Sequence, residues 1–150
     1  MADQAEFKFE SKEWDALLKR LKTKWKDIKN RDTFADIVAI ASFRDIIEHF
    51  DDQSGPDGPW TARSPKYKKY IEAKGYTNIL QVTGNLRKSL MFGTGKVRKN
   101  SSGVILYTPV KYAKKHDEGL DGMPKRKFMW LSKKAIDSIL MQTLKWLDEE

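Results

Sequence analysis

One stretch of the chain, residues 33–50, is apolar around most of the circumference of a helix. A helix is predicted from Asp32 or Thr33 to about Phe50, with Asp36 three residues after Thr33 as a capping-box-like pair. Its apolar residues fall on more than one face: Phe34, Ile37, Val38, Ile40, Phe43, Ile46, Ile47 and Phe50. Such a helix is buried on two sides. We therefore expect it either at the centre of the fold or against a neighbouring subunit.

Two amphipathic helices flank this stretch. The first is predicted from Ser11, which can cap it, to about Ile28. The last is predicted to begin at Ser132 and to bury one apolar face: Ile136, Ile139, Leu140, Thr143 and Leu147. The charges of this last helix oppose its dipole, with lysines near its start and acidic residues near its end. Something other than local helix stability must favour those charges.

The predicted strands are few and short. Residues 89–98 and 104–107 predict an antiparallel hairpin, and Phe128 to Leu131 predict a third strand. Residues 1–10 form either a flexible arm or an edge strand, because Phe7 and Phe9 alternate with charged residues. The prediction is one α+β domain over residues 1–150, with two long N-terminal helices and a C-terminal helix packed on a small antiparallel sheet.

Short helices are predicted between these elements. Pro65 suits the first turn of a helix through Ala73, and Thr83-Gly84-Asn85 begins another in which Leu86 and Leu90 face inward. Tyr112 to Glu118 predicts a third.

Composition sets the broad class of the protein. With 150 residues, 39% of them hydrophobic and 33% charged, the chain fits one globular domain with a charged surface. It has no cysteine, which excludes disulfides and zinc–thiolate sites. No apolar run approaches the roughly 18 residues that a membrane span needs, and the acidic N-terminus lacks the features of a signal peptide. We expect a protein that is made in a cytoplasm and contacts no membrane.

The net charge of +8 is concentrated in the middle of the chain. Residues 1–60 hold 10 Lys/Arg against 13 Asp/Glu, residues 61–134 hold 18 against 4, and residues 135–150 hold 1 against 4. The three parts therefore carry −3, +14 and −3. A basic block of this size attracts phosphates or an acidic protein surface.

The basic residues of this block could line one surface: Arg87, Lys88, Lys96, Arg98, Lys99, Lys111, Lys114, Lys115, Lys125, Arg126 and Lys127. Three interpretations stay open. The surface could bind nucleic acid through phosphates, without sequence preference and with a steep salt dependence. It could be a solvated face. It could also be an intersubunit surface that meets acidic residues such as Asp51, Asp52 or Asp148 to Glu150.

Two turn-rich segments, residues 51–65 and 117–127, are the candidates for contact with a partner. Gly55-Pro56 and Gly58-Pro59 argue against regular structure in the first segment. Trp60 lies within it and is costly to expose, so it either folds back as an internal anchor or inserts into a partner. Phe128 follows the second segment and is predicted to anchor it.

Catalytic patterns are weak. The chain has two histidines, and His49 is predicted either to occupy a C-terminal helix position or to lie on the surface. His116-Asp117-Glu118 does not converge on one proton or metal, because adjacent helical residues point about 100° apart. We expect His116 to fix the bend before Pro124. Gly93-Thr94-Gly95-Lys96 is not a phosphate-binding loop, since Val97 follows the lysine. We expect no enzyme activity, no cofactor and no metal.

Four patterns occur in order between about Gly55 and Ser132. Gly58-Pro59-Trp60 precedes Ser64; Leu80, Thr83-Gly84, Leu86 and Ser89 follow; then come Tyr112-Ala113, His116 and Gly119; and finally Pro124, Arg126, Phe128 and Leu131-Ser132. In this order and spacing the chain resembles the phage virion morphogenesis family, the tail completion proteins of Mu-like contractile-tailed phages. The chain differs from the family pattern at two positions. Asp117 occupies the position after the histidine, where relatives tend to have Gln, and Lys127 occupies the position before the phenylalanine, where relatives tend to have a second proline.

The resemblance implies a structural protein of the virion tail or neck, which completes the tail and joins it to the head. It also implies a homo-oligomer, a hexameric ring, that contacts the tail tube or tail terminator and neck or connector proteins, with packaged DNA as a further contact. A sequence-nonspecific DNA-binding protein using the basic surface of residues 87–134 is the alternative. The predicted interface residues are Trp60, Arg87, Lys88, Tyr112, Lys114, Lys115, His116, Lys125, Arg126, Lys127 and Phe128.

Overall fold

The computed structural model describes residues 6–8, 19, 27–100 and 103–149. Within them the chain has an α+β fold, as predicted. The N-terminal helix predicted from Ser11 lies almost wholly outside the described residues, so the prediction of two long N-terminal helices is not confirmed.

The long helix α1 (Ile28–Asp52) runs through the centre of the fold. Val38, Ile46 and Phe50 are fully buried along it and lie within about 120° of one another around the helix. Ile40, outside that arc, is 42% exposed, so burial on two sides is not confirmed. The predicted start at Asp32 or Thr33 is wrong, because the helix already begins at Ile28. Asp32 instead forms an ion pair with Lys99, so its carboxylate makes a tertiary contact.

A three-stranded antiparallel sheet lies against α1. Its strands are β1 (Glu6–Lys8), β4 (Lys96–Asn100) and β5 (Gly103–Tyr107), in the order β1-β5-β4. Tyr107 pairs with Glu6 on one side and with Lys96 on the other. The predicted hairpin is confirmed, and residues 6–8 form an edge strand. Strand β4 begins later than predicted.

Strand β4 starts late because residues 89–95 form turns, in which the amides of Thr94 and Gly95 both donate to the carbonyl of Met91. This segment also passes close to the central helix. A Cβ placed on Gly95 would lie 2.4 Å from the ring of Phe43, so the position has no room for a side chain.

A second, smaller sheet and three short helices occupy the middle of the chain. Strands β2 (Ser54–Gly55) and β3 (Gly58–Pro59) pair as a hairpin, so the expectation of no regular structure there is wrong. The helices match the predictions: α2 (Pro65–Glu72), α3 (Asn85–Lys88) and α4 (Ala113–Glu118). Leu86 and Leu90 are buried, as expected.

The last helix, α5 (Lys133–Asp148), packs against α1. The Ser132 Oγ accepts a hydrogen bond from the Ala135 amide at 3.2 Å and caps the helix, as predicted. Ile139, Thr143 and Leu147 are buried on its inner face.

The third strand predicted for Phe128 to Leu131 is absent, since residues 128–131 have no strand pairing. Their backbone amides are used otherwise. Those of Phe128 and Met129 donate to the carboxylate of Asp117, and the Ser132 amide donates to Asp45. A backbone committed to side-chain acceptors cannot also join a sheet ladder.

Candidate functional site

The segment between α4 and α5 contains the basic triplet Lys125 to Lys127, and its shape depends on a glycine. Gly119 ends α4 with φ 71°, in the left-handed region. A Cβ at this position would lie 2.9 Å from the backbone nitrogen of Lys125. The chain turns back so tightly that the Arg126 amide donates to the carbonyl of His116 at 2.8 Å. Residues 119–127 are called the basic loop below.

A buried carboxylate holds the end of the basic loop. Asp117 is 3% exposed, and its Oδ1 accepts hydrogen bonds from the amides of Phe128 at 2.9 Å and Met129 at 2.8 Å. Its Oδ2 lies 3.2 Å from the ammonium of Lys127. Asp117 therefore joins α4 to the first residues after the loop, and each of its two oxygens contacts at least one protein donor.

The basic loop is also fastened to the segment after β3. The indole Nε1 of Trp60 donates to the carbonyl of Lys127 at 2.9 Å. The guanidinium of Arg126 donates from Nε to the carbonyl of Thr61 at 2.7 Å and from an Nη to that of Ala62 at 3.2 Å. The two segments predicted as separate contact loops are thus one connected unit.

Three predicted interface residues are buried inside the chain. Trp60 is 6% exposed, Arg126 8% and Phe128 0%. The ring of Phe50 lies 5.4 Å from that of Trp60 and 5.4 Å from that of Phe128, centroid to centroid. Of the two interpretations of Trp60, the structure therefore supports the internal anchor. These three side chains hold the loops in place, and their contact with a partner stays a prediction.

The other predicted interface residues lie nearer the surface. Four are exposed: Lys88, Tyr112, Lys115 and Lys125. Four are half-buried: Arg87, Lys114, His116 and Lys127.

Several of the basic side chains already have acidic partners within the chain. Arg87 lies 2.8 Å from Asp51, and Lys115 lies 3.1 Å from Asp121. Asp51 was a candidate for contact with a neighbouring subunit, but its carboxylate is paired with Arg87 of the same chain. The basic surface carries less unbalanced charge than the sequence suggests.

A cleft of about 720 Å³ opens beside this unit. Much of its wall is apolar, from Ile79, Leu80, Val82 and Pro124. Its polar groups are cationic or neutral: Arg63, Arg126 and His116 line it, and none of its described lining residues is acidic.

Electrostatics in the cleft disfavour additional positive charge. Burial, and secondarily the charge of Arg126, lowers the pKa of His116 below its ordinary value of 6.5. Burial, and secondarily the charge of Arg63, lowers the pKa of Arg126. The buried Nδ1 of His116 has no hydrogen-bond partner among the described residues. His116 lines the cleft, and its backbone carbonyl accepts from the Arg126 amide at the bend. The predicted role, fixing the bend before Pro124, stays a prediction for its side chain.

A polar cluster that the sequence did not indicate joins α1 to α5. Asp45 is 5% exposed and accepts from the amide of Ser132 at 2.7 Å and from its Oγ at 2.6 Å. His49 lies 3.2 Å from the same carboxylate and stacks on Trp130, with ring centroids 3.8 Å apart. Of the two positions expected for His49, the one near the C-terminal end of a helix is confirmed, since it lies in the last turn of α1, and the surface position is wrong, since it is 4% exposed. The spacing of Asp45 and His49, one helical turn apart, was the available signal.

The described residues contain no group of three or more His, Cys, Asp or Glu side chains placed to hold a metal ion. None of their helices is long and apolar enough to cross a membrane.

Fold and site together define an α+β protein whose basic loop is locked to the core by buried polar contacts. A sequence profile of the phage virion morphogenesis family matches residues 9–148. The chain belongs to this family, which makes it a virion-associated protein with a role in phage morphogenesis. No curated protein and no solved structure matches it.

The two departures from the family pattern noted in the sequence contact each other. Asp117 and Lys127 form the ion pair at 3.2 Å. A carboxylate at the first position is thus accompanied by a cation at the second. The contact explains how both departures can occur together, because Lys127 provides a counter-charge for the buried carboxylate of Asp117.

Proposed function

We propose that the protein completes the phage tail and joins it to the head, acting as a hexameric ring that performs no reaction. Its partners are further copies of itself, the tail tube or tail terminator, and the neck or connector proteins. Family membership supports a structural role in the virion. The finer assignment rests on how the basic loop is built.

The single observation that carries the proposal is the set of hydrogen bonds between the basic loop and the segment after β3. Trp60 and Arg126 make three hydrogen bonds between the two segments, at 2.9, 2.7 and 3.2 Å. A surface that is fixed before binding loses little conformational entropy when it docks. Lys125 is exposed beside these contacts and presents its charge from a rigid base.

Closed rings need two different complementary patches on each copy. The basic loop supplies one. The acidic end of α5 is a candidate for the other, since Asp148 and Glu149 are exposed where a helix dipole disfavours negative charge. The ion pair of Glu149 with Lys145, at 3.9 Å, is exposed on both sides and offsets little of that cost. Contact with a basic neighbour would offset that cost.

The absence of a reaction is supported by the arrangement of the Asp45 cluster. A serine, a histidine and an aspartate lie together there, but the Ser132 Oγ donates to Asp45 at 2.6 Å. A serine nucleophile is activated when its hydroxyl donates to a histidine base. The cluster therefore suits a structural role, and loss of a measured activity on His116→Ala would contradict the proposal.

The test is complementation of a phage that lacks this gene. Wild-type protein should restore joined particles, whereas its absence should leave separate full heads and tails in electron micrographs. Lys125→Glu should fail to restore joining while remaining folded by circular dichroism. Lys125 is chosen because its neighbours Arg126 and Lys127 have internal partners.

Lys69→Glu is the matched control, since it reverses an exposed charge on α2, away from the basic loop. Normal joining with Lys125→Glu would remove this loop from the mechanism. Light scattering should give the mass of six 17.4 kDa chains, alone or on tail tubes. A monomer under both conditions would refute the ring.

The DNA-binding alternative is separated by a gel-shift assay. Binding of duplex DNA that persists at physiological salt without tail components would favour it, because phosphate-driven binding weakens steeply with salt. The internal partners of Arg87, Lys115 and Lys127 argue against it.

A further inference from the structure

The cleft between α2 and α4 has the chemistry of a binding site, and the proposed function does not use it. Arg126 is 8% exposed and lies at its wall. The hydrogen-bond acceptors of its guanidinium, within the described chain, are the carbonyls of Thr61 and Ala62. Two carbonyl dipoles orient a buried guanidinium but do not neutralise it, and a buried cation without a counter-charge is unfavourable.

A second guanidinium faces the same space. Arg63 lines the cleft and is positioned by the carbonyls of Thr77 at 3.4 Å and Asn78 at 2.7 Å. With no acidic residue among the described lining residues, the cleft holds two like charges that an anion would balance. His116 adds a buried Nδ1 for which the described part of the chain offers no hydrogen-bond partner.

The walls select the kind of anion. Ile79, Leu80, Val82 and Pro124 are apolar and surround the cationic groups. Nucleic-acid phosphates are bound through cations that follow the strand in an open groove. An apolar cleft with one cationic corner instead fits a carboxylate carried on an apolar body, for which guanidinium groups give charge-assisted hydrogen bonds.

We propose that this cleft receives a segment of a partner protein that presents an Asp or Glu carboxylate beside an apolar side chain. The carboxylate lies between Arg63 and Arg126, and the apolar side chain packs on Leu80 and Val82. The identification of the partner as another virion protein rests on the proposed function; the chemistry of the cleft does not.

The direct test uses two synthetic peptides, acetyl-Leu-Glu-Leu-amide and acetyl-Leu-Gln-Leu-amide, titrated into the isotope-labelled full chain and followed by NMR. The Glu peptide should shift the side-chain Nε–H signals of Arg63 and Arg126. It should also raise the pKa of His116, because a bound carboxylate stabilises the imidazolium. The Gln peptide should bind about tenfold more weakly, since it lacks the charge.

Variants locate the site. Arg63→Gln should weaken binding of the Glu peptide about tenfold, and Arg63→Lys should restore part of the affinity by keeping the charge. Lys69→Gln, on the same helix α2 but not lining the cleft, should leave the affinity unchanged. Arg126 is left intact because it also holds Thr61 and Ala62.

Three results would overturn the carboxylate assignment: equal affinity for the two peptides, shifts confined to other surfaces, or displacement of the Glu peptide by equimolar inorganic phosphate or duplex DNA. The phage supplies a separate arm. If wild-type protein restores joined particles and Arg63→Gln does so equally well, the partner assignment falls while the proposed function stands. If wild-type protein is not needed for joining, the proposed function fails, and the peptide titration still decides what the cleft binds.

Discussion

Replacing Asp117 by alanine should destabilise the protein by about 2–6 kcal/mol. The carboxylate accepts from two buried amides, at 2.9 and 2.8 Å. Removing it leaves both donors unsatisfied, and each costs about 1–3 kcal/mol. The adjacent Lys127 contributes less, because its side chain is 32% exposed and a solvent-screened pair is worth about 0–1 kcal/mol.

Two further variants separate these contributions. Asp117→Asn keeps an oxygen that can accept from the amides of Phe128 and Met129, so it should cost less than alanine. Lys127→Met removes only the ion pair and should cost under about 1 kcal/mol. The order of destabilisation should be Asp117→Ala, then Asp117→Asn, then Lys127→Met.

Urea denaturation followed by the fluorescence of the five tryptophans measures the three variants. Hydrogen exchange at the amides of Phe128 and Met129 should speed up in Asp117→Ala before it does in α1. If Lys127→Met proves as destabilising as Asp117→Ala, the ion pair and not amide capping holds the loop, and the reasoning is refuted.

Three other changes should have distinct effects. Gly119→Ala should cost about 1–3 kcal/mol in urea denaturation, because its Cβ would lie 2.9 Å from the backbone of Lys125. Gly122 has a similar φ of 76°, but a Cβ there would meet no described atom within 4 Å. An equal cost for Gly122→Ala would therefore contradict the steric cause. Trp60→Phe should cost about 1–2 kcal/mol by leaving the Lys127 carbonyl without its donor, and an unchanged denaturation midpoint would show that this bond does not matter. Burial raises the pKa of Asp45, but hydrogen bonds from His49 and Ser132 outweigh this effect, and the net pKa lies below 3.8. The Asp45 carboxylate therefore stabilises the folded protein above that value, and this stabilisation is lost as the pH falls through the lower pKa of the folded state. Asp45→Asn should flatten the decline in stability below about pH 4, and a decline as steep as in the wild type would exclude this role.

Local sequence signals located most of the described elements. Pro65 in the first turn and the serine cap at Ser132 mark the starts of α2 and α5, and the Ser132 side chain accepts from the amide of Ala135. Such signals work because capping and helical periodicity involve residues within one or two turns. The strand predicted for Phe128 to Leu131 was wrong because a run of four apolar residues does not distinguish a strand from any other buried segment.

The candidate site was harder to predict than the fold. The basic triplet suggested a uniform charged surface, yet its middle residue, Arg126, is buried and its neighbour Lys127 pairs with Asp117. A charged residue is ordinarily exposed unless it has a partner, and the partner was not adjacent in the sequence. Arg126 finds acceptors 64 and 65 residues away.

The sequence by itself determined the α+β class, the central apolar helix, the hairpin, the capped helices and the family, because each depends on local patterns or on the order of motifs. Tertiary structure alone decided which polar groups are buried: Asp45, Asp117 and Arg126. It also assembled the cleft from segments near residues 63, 80 and 116. The physical reason is that burial of a charge depends on the acceptors and donors that folding brings to it, and these lie far away along the chain.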